Sequence, residues 1–319
     1  MTERGVPGHH LTLGPGSEFD AIRVLLERWG PRAVGIGDDA TIVRVPRGDA
    51  LVASVDTAIE GRHFRTNWIT PREIGYRAVT AALSDLAAMA AQPLGVLLAI
   101  AIPNDRQNIL ADIADGVGDA VDAAQTHILG GNVSSADQLS LTTTVLGAVF
   151  SPLRRDGLRP GDPLYVTGRL GGPGAAVAAW REGATPAVEH RDRFAHPAAR
   201  LREARWLADR GAVAAIDISD GLAADAEHLA LASGVGVDVD LALVPLVAGV
   251  ADVVAAASSG EEYELLVGSR TALDSAEFER AFDLPLTPIG RVTSCDDGIL
   301  FRRGSERVAK PSGYDHLSP

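Results

Sequence analysis

The sequence contains almost no cysteine and few aromatic residues. Among its 319 residues the only cysteine is Cys295, so no disulfide can form within the chain. This fits the reducing environment of the cytoplasm, where we expect the protein to be located. Aromatic residues make up 5% of the chain and hydrophobic residues 46%. The core must therefore be built mainly from aliphatic side chains and alanine, which favours an α/β or α+β fold with closely packed helices.

The chain also has a deficit of basic residues and no long uninterrupted apolar run. It has 29 Lys and Arg residues against 42 Asp and Glu residues, a formal net charge of −13. This balance argues against nucleic acid or an anionic membrane as the main partner. The longest apolar stretch, 86–102, is interrupted by Gln92 and Pro93, and it predicts a helix end followed by a strand. Residues 1–16 lack the apolar segment of a signal peptide and are predicted to form a flexible tail.

Two adjacent carboxylates, Asp38 and Asp39, follow a short apolar run at 33–36. We expect the run to be the end of a buried strand, after which Gly35 and Gly37 let the backbone turn. Gly-Asp-Asp is common in solvated turns, so these residues alone leave a surface turn as one interpretation. The other is a cation site, because neighbouring carboxylates repel each other unless a cation lies between them.

Further acidic residues occur where strands end or where a helix is otherwise apolar. Alternation along the strand at 51–56 places Ser54 and Asp56 on one face. Asp85 lies in an apolar helix, where its charge needs a partner or an exposed face. Asp217 and Asp220 follow a buried strand and precede a helix. Because ligands of α/β sheets bind where strands end, and magnesium prefers carboxylates and phosphates, these positions predict a site for several magnesium ions and a nucleotide.

The second half adds a glycine-rich loop and a run of glutamates. Gly168 to Gly174 lies between a predicted strand and a predicted helix, so it is a candidate phosphate-binding loop, although it lacks the Walker and dinucleotide-binding patterns. Glu261, Glu262 and Glu264 precede another strand and are expected to lie outside the core. The Pro, Gly and Arg residues of 151–162 suggest a domain boundary, which gives domains at 17–150 and 151–319 after the tail.

Several motifs occur in order along the chain and together resemble one family. They are Gly35-Ile36-Gly37-Asp38-Asp39-Ala40, Ser54-Val55-Asp56-Thr57, His63-Phe64, Leu83-Ser84-Asp85-Leu86-Ala87-Ala88-Met89, Ile216-Asp217-Ile218-Ser219-Asp220-Gly221-Leu222 and Gly313-Tyr314-Asp315-His316. The sequence is similar to thiamine-monophosphate kinases, which share a superfamily with aminoimidazole ribonucleotide synthetase. The resemblance implies two α/β domains, with N-terminal domains paired in a homodimer. It also implies ATP-dependent phosphorylation of thiamine phosphate to thiamine diphosphate, by direct in-line transfer with several magnesium ions.

The resemblance assigns roles to individual positions but no covalent or acid–base catalyst. The implied magnesium ligands are Asp39, Ser54, Val55 through its backbone carbonyl, Asp56, Asp85, Asn132, Asp217 and Asp220. The implied contacts to ATP are Gly131, Asn132, Arg155 and Ser219. Thiamine phosphate would be bound by His63, Glu261 and Tyr314, with Tyr314 stacking on a thiamine ring.

Three positions depart from the family pattern. Asn132 stands where the family has a metal-binding Asp, so one magnesium ion should bind more weakly. Glu262 replaces an Asp, and Leu317 replaces a Phe. The change at Asn132 leaves open a nucleotide-binding paralogue with lost or altered catalysis. A further alternative is a kinase or ATP-dependent synthetase that acts on another small phosphate or amide substrate.

Overall fold

The computed structural model describes residues 17–36 and 40–313, with side chains from residue 20 onwards. The described chain forms two compact units. The first comprises the residues up to Leu86 together with Ala91–Ser151, and the second comprises Ala87–Ala90 and the residues from Pro152 onwards. None of the helices in these described ranges combines the length and apolar character needed to cross a membrane.

In the described residues, the first unit contains a four-stranded sheet and the three α-helices α1, α2 and α3. Its strands occur in the order β1-β4-β2-β3; β4 is antiparallel to both β1 and β2, and β2 is parallel to β3. The bounds of these elements are α1 Ser17–Trp29, β1 Ala50–Ile59, α2 Pro71–Ala88, β2 Gln92–Ile102, α3 Leu110–Ala123, β3 Ile128–Ser135 and β4 Ser140–Val149.

The two faces of this sheet have different environments. On the inner face, Val96, Leu98 and Ile100 of β2 are buried. On the outer face, Leu51 is 53% exposed and Val55 is 62% exposed. Side chains alternate along a strand, so only residues of the same face can contribute to one site.

Helices α2 and α3 approach each other closely where each contributes a glycine. A Cβ atom on Gly75 would lie 2.2 Å from the carbonyl oxygen of Ile113, and one on Gly116 would lie 1.7 Å from that of Arg72. Any larger residue would force the two backbones apart, so these glycines set the distance between the helices. The packed pair gives Asp85, near the end of α2, a fixed position.

The expected strand end at 33–36 is wrong. Ala33 forms only an isolated parallel bridge with Ile128, through a hydrogen bond from the Val34 N–H to the Ile128 carbonyl at 2.9 Å. Gly35 is exposed rather than buried. The segment pairs with β3 at this single bridge and does not continue as a strand.

The second unit contains a seven-stranded mixed sheet in the order β11-β10-β7-β9-β5-β8-β6. Its core is aliphatic and includes Leu164, Val166, Ile216, Leu266 and Ile289. The elements are β5 Pro163–Thr167, α4 Gly172–Arg181, α5 Val188–Ala195, α6 Leu201–Asp209, β6 Ala212–Asp217, α7 Leu222–Ser233, β7 Gly236–Asp240, α8 Val253–Ser258, β8 Leu265–Ser269, α9 Ser275–Phe282, β9 Leu286–Thr293, β10 Ile299–Arg303 and β11 Glu306–Val308.

Candidate active site

In the first unit, three of the candidate magnesium ligands lie on the inner side of the sheet. The Ser54 hydroxyl donates a hydrogen bond to Oδ2 of Asp85 at 2.5 Å, which joins β1 to α2. Asp56, two residues further along β1, has its side chain on the same face, and its Oδ1 accepts the Thr57 N–H at 2.7 Å. This arrangement explains how the carboxylate of Asp85 is accommodated on an otherwise apolar helix. Val55 points to the other face, so only its backbone can contribute here.

A cleft of about 510 Å³ lies on the outer face of the same sheet. It is lined by Gly35, Ile36, Ala40, Thr41, Leu97, Leu98, Ala99, Leu129, Gly130, Gly131, Asn132, Thr142 and Thr144. Gly131 and Asn132, two of the ATP contacts implied by the resemblance, are therefore in one cleft. Asp38 and Asp39, between Ile36 and Ala40, fall outside the described residues, as does Tyr314.

The strand register places Asn132 on the opposite face from Asp56. Thr57 pairs with Thr142, Thr142 with Ala99, and Ala99 with Asn132, so all four side chains share the outer face. The Thr57 and Thr142 hydroxyls are 3.0 Å apart, which is consistent with this register. A single chain thus does not bring Asn132 to the Ser54–Asp85 pair. Among the described residues, no three His, Cys, Asp or Glu side chains converge as a complete metal centre.

The second unit holds a group of three aspartates around the start of α7. Asp217 ends β6 and is 4% exposed, whereas Asp220 lies in the turn that follows. The third, Asp225, was not predicted, and its Oδ2 accepts the backbone N–H groups of Asp220 at 3.2 Å and Gly221 at 3.1 Å. Burial, together with the negative charges of Asp217 and Asp220, raises the pKa of Asp225 to about 8. The sequence feature that could have identified Asp225 is an acidic residue in the first turn of a predicted helix.

The glutamate segment is fixed against the loop that carries Ser219. The Glu261 N–H donates to the Ser219 carbonyl at 2.8 Å, and the Glu262 and Tyr263 N–H groups donate to the Ile218 carbonyl. The Tyr263 hydroxyl donates to Oε2 of Glu261 at 2.5 Å. Ser219 and Glu261, implied contacts of ATP and of thiamine phosphate, are therefore held next to each other.

The expectation that the glutamates lie outside the core is wrong for two of the three. Glu262 is 3% exposed, and its Oε1 accepts the Gly171 N–H at 2.6 Å and the Ser259 hydroxyl at 3.0 Å. This carboxyl group occupies the N-terminal end of α4, where the glycine loop was expected to bind a phosphate. The phosphate-loop hypothesis for 168–174 is therefore wrong. Burial raises the pKa of Glu262 to about 8, although the Gly171 hydrogen bond and the charge of Arg193 oppose this.

Glu264 is fully buried in a network with two arginines. Its carboxylate accepts hydrogen bonds from Nε of Arg200 at 2.7 Å, from a second guanidinium nitrogen of Arg200, from Arg193 at 2.8 Å and from the Thr167 hydroxyl at 2.7 Å. Burial alone would raise the pKa of Glu264. The charges and hydrogen bonds of Arg200 and Arg193 outweigh burial and lower the pKa to about 2. The attraction between Glu264 and the two guanidinium groups is stronger here than at the surface because the buried site has a lower effective dielectric constant.

The two remaining predicted contacts have contrasting surroundings. His63, half-buried in the loop after β1, accepts the Ile59 N–H at Nδ1 over 3.0 Å. A neutral His63 must therefore carry its proton on Nε2. Arg155 has an exposed side chain, and its carbonyl oxygen accepts the Ser233 hydroxyl at 2.6 Å.

Comparison with known proteins identifies the family. The profile of the AIR synthase related protein N-terminal domain matches residues 37–149, and that of its C-terminal domain matches residues 159–302. The thiamine-monophosphate kinase of Escherichia coli K12 is 34% identical over 305 residues, which covers 89% of this chain and 92% of the relative. The chain belongs to the thiamine-monophosphate kinase family. The Bacillus subtilis 168 member is 29% identical and covers 94% of this chain and 99% of its own.

Solved structures of thiamine-monophosphate kinases have the same fold. The crystal structure of the enzyme from Stenotrophomonas maltophilia K279a has a TM-score of 0.80 at 30% identity and covers 89% of this chain and 97% of its own. A structure described as AaThiL complexed with AMPPCP and TMP has a TM-score of 0.75 at 26% identity, with 94% and 96% coverage. The Escherichia coli hydrogenase maturation protein HypE, at 20% identity and a TM-score of 0.75, shares the fold alone. The predicted two-domain AIR synthase-type α/β fold is thus confirmed.

Proposed function

We propose that this protein transfers the γ-phosphoryl group of ATP to thiamine phosphate, which yields thiamine diphosphate and ADP. The observation that carries the proposal is the 34% identity to a thiamine-monophosphate kinase across 89% of the chain. The similarity to a structure that holds AMPPCP and TMP supports the same pair of substrates. The acceptor is a phosphate oxygen that is already anionic near neutral pH. Transfer therefore needs no general base, in agreement with the absence of an assigned acid–base residue.

Magnesium fits the donor atoms that the chain offers. Ser54, Asp56 and Asp85 in the first unit provide only hydroxyl and carboxylate oxygens, which are the ligands that magnesium prefers. We assign magnesium to them, and also to Asp39, the Val55 carbonyl, Asp217 and Asp220. Bound magnesium would neutralise the charge of the transferring phosphates. Asp225 holds the backbone before α7 and so orients Asp220.

The remaining roles concern substrate binding. Gly131 and Asn132 contact ATP in the cleft, and Ser219 and Arg155 also contact ATP. Glu261, His63 and Tyr314 bind thiamine phosphate. The hydrogen bond from Glu261 to Ser219 keeps a residue assigned to thiamine phosphate next to a residue assigned to ATP.

We further propose that the protein is a cytoplasmic homodimer that pairs through the outer face of the first unit. Leu51 and Val55 expose apolar side chains there, and apolar faces of this kind typically mark interfaces. We propose that Asn132 binds magnesium only in a dimer, where a second chain covers this face. Val55→Lys would place a charge in the interface, so the expected result is a monomer by light scattering. An unchanged mass would place the interface elsewhere.

The domain limits 17–150 and 151–319 stay a prediction.

The kinase proposal is tested by incubating the purified protein with ATP, magnesium chloride and thiamine phosphate, and by separating the products by chromatography. We expect thiamine diphosphate and ADP in equal amounts. Asn132 favours one alternative, a paralogue that binds ATP without turnover, because it removes a negative charge from the family's metal-binding position. ATP binding by calorimetry without product would support that paralogue. Release of ADP with another small phosphate, but not with thiamine phosphate, would support a different substrate.

A further inference from the structure

Beside the candidate magnesium ligands of the first unit lies a hydroxyl group that has no hydrogen-bond partner among the described residues. Thr143, in the middle of β4, has a fully buried side chain. Its Oγ1 has no hydrogen-bond partner within the described parts of the chain. Burying an unpaired hydroxyl is unfavourable, and a valine of nearly the same shape would fill this position without that cost. The presence of a hydroxyl here, rather than a methyl group, therefore indicates a functional role.

The register of the sheet shows what the Thr143 side chain faces. Thr143 is directly opposite Asp56 in the antiparallel pair of β4 and β1. Side chains of directly opposed residues lie on the same face, with Cβ atoms about 5 Å apart. The Thr143 hydroxyl thus shares the inner face with Ser54, Asp56 and Asp85. The Ser54 hydroxyl already donates to Asp85, whereas the Thr143 hydroxyl has no hydrogen-bond partner among the residues that the structure describes.

We propose that Thr143 is a positioning residue that donates a hydrogen bond to the Asp56 carboxylate when magnesium is bound. In the structure, Oδ1 of Asp56 accepts the Thr57 N–H at 2.7 Å. A hydroxyl hydrogen rotates freely, so Thr143 can serve whichever carboxylate oxygen faces it after the side chain adjusts. Charge-assisted hydrogen bonds of this kind fix the orientation of metal-binding carboxylates. The inference rests on the proposed function, because it takes magnesium to bind at Asp56.

The test compares Thr143→Val with a matched control in the same unit. Thr126 is also buried and also lacks a partner for its hydroxyl among the described residues, but it lies in the turn before β3. Thermal unfolding is followed while magnesium chloride is titrated in the presence of saturating AMPPCP. For Thr143→Val we expect a metal-free Tm equal to or above that of the wild type. We also expect a roughly tenfold higher magnesium concentration at half-maximal stabilisation, the effect of losing one hydrogen bond to a charged group.

The control variants separate this role from simple packing. Thr126→Val should give the same metal-free Tm effect with an unchanged magnesium midpoint, and Thr143→Ser should restore the wild-type midpoint because it keeps the hydroxyl. If Thr143→Val fails to fold, Thr143→Ala removes the same hydroxyl and should give the same shift. An unchanged midpoint in the folded variant would overturn the inference, as would a wild type that magnesium does not stabilise. A shifted midpoint without thiamine diphosphate formation would instead refute only the kinase proposal.

Discussion

The buried carboxyl group of Glu262 should make folding depend on pH, and Glu262→Gln should remove that dependence. Burial raises its pKa from 4.5 to about 8. Between these values the unfolded chain is ionised at this position and the folded chain is protonated, so folding takes up a proton. The contribution of Glu262 to the unfolding free energy is therefore fully present below pH 4.5 and is lost as the pH rises towards 8. The slope is about 1.4 kcal/mol per pH unit, or about 3 kcal/mol between pH 5 and pH 7.

Glutamine keeps an oxygen that can accept the Gly171 N–H and the Ser259 hydroxyl, but it cannot ionise. The unfolding free energy of Glu262→Gln should therefore rise relative to the wild type by about 3 kcal/mol from pH 5 to pH 7. Urea unfolding followed by tryptophan fluorescence measures this, since the Trp180 ring packs 5.2 Å from that of Phe194 in this unit. Glu189→Gln removes an exposed carboxyl group from α5 and controls for the loss of one charge. A difference between variant and wild type that does not change with pH would refute the reasoning.

Three further predictions concern single charged or polar groups. Glu264→Gln leaves Arg200 and Arg193 without their buried counter-charge, so the urea midpoint should fall with a loss of about 3 to 5 kcal/mol; a loss below about 1 kcal/mol would contradict the network. The Glu264 contribution, with its pKa lowered to about 2, is present above pH 4.5 and lost as pH falls towards 2. Asn132→Asp should lower the magnesium concentration at half-maximal rate, and an unchanged magnesium dependence would mean that Asn132 is not a ligand. Asp85→Asn should reduce kcat by at least about 100-fold with an unchanged circular dichroism spectrum, whereas near-normal turnover would remove Asp85 from the site.

Local patterns in the sequence predicted local geometry well. Alternation along β1 correctly placed Ser54 and Asp56 together, with Val55 on the other face. It could do so because a strand has a fixed period of two, whatever it pairs with. The resemblance to thiamine-monophosphate kinases, which rested on several short motifs in order, is confirmed by the matches along the chain.

Features that depend on distant partners could not be predicted. Glu264 is buried because Arg200 and Arg193, more than 60 residues earlier in the chain, neutralise its charge. The face on which Asn132 lies depends on the register of β2 with β3, which contains an irregularity between Val96 and Leu97. A shift of one residue would have reversed that face. The position of the Thr143 hydroxyl opposite Asp56 likewise becomes visible only when the pairing of β4 with β1 is known.

The central claim is that this chain moves a phosphoryl group from ATP directly to thiamine phosphate. Its most direct measurement uses ATP labelled in the γ-phosphate, with magnesium chloride, thiamine phosphate and purified protein. The account predicts that the label appears in thiamine diphosphate, that no labelled protein accumulates, and that Asp85→Asn slows the transfer by at least about 100-fold. Label that remains in ATP, or that appears only as free phosphate over a wide range of magnesium concentrations, would contradict it.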